Sequence, residues 1–182
     1  LVTTVDGHGP YYAVYGHTES GSEETTVSMN SFSSTSGDVE DDENVSYEAT
    51  KGDASTDPGV YSNVLRIYQN GGLLTLTANN GVSLTSITIG SSMATTVQYA
   101  IDNGSYNGTN QNISANGTLT IDDIEADEVV IKCTGTSSSA RLYLNSLSVT
   151  YSGGSTTYYS TTATCCTSHG STQTRRGSSC VA

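Results

Sequence analysis

The sequence holds no tryptophan, a single phenylalanine and only six basic residues in 182. Against those six cations stand 18 acidic residues, for a formal net charge of −12. That balance argues against nucleic acid as a partner, because neutralising phosphates takes clustered Lys and Arg. No apolar run approaches the roughly 18 residues a membrane helix needs, so no membrane span is expected. No charged-then-apolar leader opens the chain. A first residue of Leu1 points to a processed start, so the missing leader does not argue for the cytosol. Helical spacing of apolar residues is absent throughout, which leaves strands as the material of the fold.

What is abundant is hydroxyl and glycine. Ser and Thr make up roughly 30% of the chain, a composition usual for secreted β-proteins and rare in cytosolic enzymes. The expected location is therefore extracellular, secreted or on a cell surface. From Thr25 onward the apolar residues recur with period 2, the mark of half-buried strands. The pattern predicts strands over 25–32, 44–49, 64–68, 73–78, 83–89, 95–101, 117–121, 128–133, 141–144 and 146–151, with another over 11–15. Between them stand Gly71-Gly72, Asn79-Asn80-Gly81, Asn103-Gly104, Asn107-Gly108 and Asn116-Gly117, residues that tolerate positive φ and let hairpins close.

Such a series predicts an all-β fold, a two-sheet antiparallel β-sandwich or jelly roll with N- and C-terminal extensions. Within the strand from Thr95, Val97, Tyr99 and Ile101 alternate with Thr96, Gln98 and Ala100, giving one apolar and one wet face. Each inward aliphatic contributes about 1.5–3 kcal/mol on burial, so the core needs neither metal nor disulfide. The domain organisation expected is an arm over residues 1–24, the sandwich over 25–152, and a Cys-containing low-complexity tail over 153–182.

The stretches TTVSMNSF, NVSYEATKG, YSNVLRIYQNGGLLTLTA, VSLTSITI and ARLYLNSLSVTY occur in that order. Residues 25–152 thereby resemble a β-sandwich module of secreted and surface proteins of Bacteroidetes. The matching places are Lys51-Gly52, Tyr61, Leu65 to Tyr68, Leu73 to Thr77 and Arg141 to Tyr151. The resemblance implies a jelly-roll fold, a secreted life and the role of a non-catalytic accessory module.

Hydrolysis would need a nucleophile with its base, or two carboxylates facing each other across a groove. His8, His17 and His169 all lie outside the expected sandwich and in no motif, so no enzyme is expected and no catalytic residue is assigned. The run DVEDDEN offers Asp38, Glu40, Asp41 and Asp42 to a calcium ion, the one cofactor in view, or else forms a solvated loop. The stretch from Asp122 to Glu128 is expected to be a strand connection.

A sugar platform could rest on Tyr61 and Tyr68 with Arg66 between them, aromatic faces stacking on pyranose CH groups. The want of Trp weighs against it. Cys133 alternates with Val129 and Ile131 and is expected to be a buried thiol. Cys165, Cys166 and Cys180 are then the disulfide candidates, with one thiol left over.

Two functions follow. The first is a structural or adhesive β-sandwich, a homo-oligomer or polymer whose terminal arms pack on its own sandwich or add a strand to a neighbour. The second is a carbohydrate-binding accessory module with glycans as partners.

Overall fold

The computed structural model describes residues 15–20, 23–153 and 155–160. The chain forms two compact units, Leu1–Gly21 with Ser155–Ala182, and Ser22–Gly154. In the first unit β1 (Tyr15–Ser20) pairs antiparallel with β14 (Ser155–Ser160), from Tyr15 opposite Ser160 to Ser20 opposite Ser155. Arms expected to join a sheet edge of the sandwich or of another subunit thus form a ladder with each other. The strand expected over 11–15 begins at Tyr15, and residues 11–14 lie outside the described residues.

The second unit is an all-β sandwich of two antiparallel sheets, with no helix among its described residues. Its strands are β2 (Glu24–Met29), β3 (Ser36–Val39), β4 (Asp42–Thr50), β5 (Gly59–Tyr61), β6 (Val64–Ile67) and β7 (Leu73–Ala78). They continue with β8 (Val82–Ser91), β9 (Thr95–Ile101), β10 (Gln111–Ile113), β11 (Gly117–Ile121), β12 (Glu128–Cys133) and β13 (Leu142–Gly153). One sheet runs β11-β8-β13-β6-β5, with β2 also pairing β13; the other runs β10-β9-β12-β7-β4-β3.

Alternation fills the space between them. Leu74, Leu76, Ile87, Ile89, Val129, Ile131, Leu142, Leu144 and Val149 are buried, while their chain neighbours face outward. Phe32, the only Phe, meets Tyr47 edge to face, the ring centroids 5.7 Å apart. Cys133 is buried among these side chains as a free thiol, as its place in the alternation predicts. The turn residues behave as their chemistry requires: Asn80, Asn103 and Asn116 all take left-handed φ, near 54–58°.

The segments expected as strands over 141–144 and 146–151 are one strand. Asn145 is an extra residue between the pairs Leu144–Ser91 and Ser146–Gly90, a β-bulge that shifts the alternation by one without breaking the ladder. A second slip, between Thr150–Ser86 and Tyr151–Leu84, places Thr85 as the extra residue on β8. Both slips are written in the sequence as a double polar step between apolar residues, Asn145-Ser146 and Thr85-Ser86. Within the sandwich, the three strands the period-2 reading passed over, β3, β5 and β10, have only three or four residues each, too few to show a period.

Candidate functional site

The sheet containing β5, β6 and β13 carries a cluster of tyrosine and arginine on its outer face. The hairpin β5–β6 closes through Ser62 and Asn63, at φ of 50° and 64°, the two left-handed residues of a tight two-residue turn. Its register sets Gly59 opposite Arg66, and β13 sets Tyr143 opposite Arg66 on the other side. The three positions therefore form one row across three strands, all pointing away from the core. One row on, past the inward pair Ile67–Leu142, the same alternation brings Tyr68 beside Arg141.

The contacts follow from that register. The Arg66 guanidinium carbon lies 4.3 Å from the Tyr61 ring centroid and 4.9 Å from that of Tyr143. The Arg141 guanidinium lies 4.6 Å from the Tyr68 ring, and its Nε donates to Gln69 Oε1 at 2.9 Å. A cation over an aromatic face is held by the ring quadrupole, worth about 0.5–1 kcal/mol at an exposed site. Both arginines thus rest on neutral partners. Arg66 Nε is shut away from solvent without an acceptor among the described residues.

Gly59 makes room for this stack. A Cβ there would come within 3.1 Å of the Tyr61 ring, so the ring lies across a position where only a hydrogen fits comfortably. Tyr61 is nevertheless 51% exposed, with one face toward the protein and the rest toward solvent.

Of the expected sugar-site residues, the structure joins Tyr61 directly to Arg66, whereas Tyr68 belongs to the neighbouring pair with Arg141. Tyr143, Arg141, Gln69 and Gly59 complete the cluster and were not singled out from the sequence for this role. Their signal is the alternation Arg141-Leu142-Tyr143, which puts a cation and an aromatic on one face, but it does not say which strand lies alongside.

The acidic run forms the β3–β4 hairpin, with Glu40 and Asp41 at φ of 53° and 59° in the turn. Asp38, Glu40 and Asp41 line an open cleft of about 310 Å³ with Ser34 and Tyr47. Asp42 is engaged elsewhere: its carboxylate accepts from the Asn44 main-chain N–H at 2.8 Å, the Asn44 side-chain amide at 2.9 Å and the Tyr151 hydroxyl at 2.8 Å. Burial acts to raise its pKa, but these hydrogen bonds together outweigh burial and hold it below the usual carboxylate value. The four carboxylates are not gathered as calcium ligands, and no group of three His, Cys, Asp or Glu side chains among the described residues is placed to hold a metal.

A second open cleft, about 520 Å³, is lined by Glu24, Thr85, Ser86, Asp122, Asp123 and Thr150. There Ser86 donates to Asp122. As expected, residues 122–127 connect two strands, tied down by a β-bridge between Leu84 and Ala126 and by the Ile124 main-chain N–H donating to the Thr85 carbonyl at 3.3 Å. The disulfide candidates Cys165, Cys166 and Cys180, and also His8 and His169, lie outside the described residues.

No family model and no curated protein matches this chain. Among solved structures it is similar to the family 32 carbohydrate-binding module of C. perfringens NanJ in complex with galactose, at 17% identity and a TM-score of 0.37, over 70% of this chain and 93% of that one.

Proposed function

We propose that this chain is a non-catalytic carbohydrate-binding module that works outside the cell, with the outer face of β5, β6 and β13 as its glycan site. The observation that carries this reading is the Tyr61 ring, half exposed, seated over Gly59 and backed by Arg66. A saccharide ring presents an apolar CH face that packs on such a surface, and its hydroxyls need donors and acceptors at the edge of the stack. Gln69 and the arginine edges supply them. Because Tyr61 is held in place before any ligand arrives, little ordering entropy opposes binding.

This reading takes precedence over a fibre or adhesive subunit. Polymerisation drew on arm strands available to another chain, and β1 and β14 each spend one main-chain edge on the other. Calcium has no gathered ligand set to support it, and the extracellular setting rests on composition and on the resemblance to secreted modules.

A glycan array probed with the full chain and with Tyr61→Ala and Tyr68→Ala variants tests the proposal. Binding to one class of saccharide should fall at least tenfold with Tyr61→Ala, and by less with Tyr68→Ala. Signal that persists undiminished in a Tyr61→Ala, Tyr143→Ala double variant would remove the platform.

A further inference from the structure

We infer that this face selects acidic sugars, the carboxylate or sulfate of the ligand meeting Arg66 and Arg141 while a ring of the same saccharide lies on Tyr61. The inference rests on the glycan-binding reading and narrows it to a ligand class. Its basis is where the few cations are. The described residues contain four of the six basic side chains, Lys51, Arg66, Lys132 and Arg141, and two of the four converge on this one face. In a chain of net charge −12, an anion is repelled by most of the surface, so a local cationic patch marks the place it can approach.

Both cations here are arginines, whose planar fork meets a carboxylate or sulfate through two parallel hydrogen bonds; an ammonium meets it as a point charge. Their contacts within the sandwich, with Tyr61 and Tyr143 for Arg66 and with Tyr68 and Gln69 for Arg141, leave the positive charge uncompensated. Stacking between Tyr61 and Tyr143 fixes the Arg66 guanidinium plane in advance, and the Tyr68 ring together with the Gln69 hydrogen bond fixes that of Arg141. With Nε of Arg66 sealed off, what that side chain can present to a ligand is its Nη1–Nη2 edge.

The two rows are about 6.7 Å apart, two strand residues, a distance comparable to one sugar unit along a glycan. An acidic oligosaccharide can therefore engage one arginine from each row. The remaining described cation–tyrosine stack, Lys132 over Tyr106 at 3.8 Å, differs in its cation, an ammonium without the planar fork, and in its ring, which is partly buried where Tyr61 is exposed.

Titration calorimetry of the full chain with oligogalacturonate, with a sulfated heparin fragment and with carboxyl-reduced, neutral oligogalacturonate provides the test. The acidic probes should bind at least tenfold more tightly than the neutral one, and weaken as salt rises from 50 to 500 mM. Arg141→Gln should reduce acidic binding about tenfold with an unchanged melting temperature, and Arg66→Lys, which keeps the charge but not the fork, should also weaken it. The carboxylate and sulfate arms assign which anion is preferred. Neutral and acidic probes bound equally, with Arg141→Gln silent, would overturn the acidic selectivity and leave the glycan reading standing. Failure of the intact chain to bind any saccharide on the array would overturn both.

Discussion

The two outer faces of the sandwich are built on one core and could hardly differ more. On the tyrosine-bearing sheet, register lines up Ser28, Ser148, Thr88 and Thr120 across four strands, with hydroxyl pairs Ser28–Ser148 at 2.7 Å and Thr88–Thr120 at 3.0 Å. Thr26 pairs with Thr150 in the same way at 2.9 Å. Away from Glu24 and Asp122 at its margin, this hydroxyl array carries no charge, and the two arginines sit beyond it. On the opposite sheet the corresponding rows are mixed: Glu48, Thr75, Val130 and Ala100 in one, Thr50, Leu73, Lys132 and Gln98 in the next. There a loop residue, Tyr106, lies over Lys132 and is partly buried, whereas Tyr61 is open. A tyrosine stacked on a cation is thus part of a covered surface in one place and part of an accessible platform in the other. Identity of the pair does not make an accessible platform; exposure does.

The comparison breaks most completely when the shared core is cut. Leu76→Ala, at the centre of β7, should cost about 2–5 kcal/mol by chemical denaturation and lower the stability of both faces together. Next in size is Gly59→Val, which adds side-chain atoms where the Tyr61 ring lies. Glycan affinity should fall about tenfold, about 1.4 kcal/mol, while the melting temperature changes little, because β5 is an edge strand that accepts a β-branched residue.

Smaller again is Tyr151→Phe. Tyr151 on β13 and Asp42 on β4 form a hydrogen bond from one sheet to the other. Its loss should cost about 1 kcal/mol at neutral pH. Asp42 has a lowered pKa in the folded state, so the stability it contributes is present above its ordinary value of 3.8 and is lost as pH falls through the lowered one. The deficit of the variant, measured by thermal melts across pH, should therefore shrink below about pH 4. The smallest effect belongs to Glu48→Gln on the opposite face: stability within about 0.5 kcal/mol and unchanged glycan binding. A marked loss of binding there would contradict the assignment of the site to the tyrosine-bearing sheet.

Much of this architecture could be read before any coordinates. Val97, Val129, Ile131 and Leu147 declare their inward orientation by alternation, and Asn80, Asn103 and Asn116 declare their turns. The β3, β5 and β10 strands did not, because three or four residues held by neighbouring strands need no periodic pattern of their own. Within the site, Tyr61 and Arg66 lie close enough in the chain to be noticed together, whereas Tyr143 and Arg141 reach them only through the pairing of β13 with β6. The arms show the same limit: nothing local in YGHTES or in STTYYS says that each is the other's partner.

By itself the sequence determined the fold class, the faces of the long strands, the turns, the charge balance and the buried thiol, because each depends on neighbours within a few residues. Only the tertiary structure decided which strands lie side by side, and with that the Arg66 stack between Tyr61 and Tyr143, the covered Tyr106 and the tie from Asp42 to Tyr151. Register is a relation between segments distant in the chain, settled by how two faces pack around a common interior, and no local pattern encodes it.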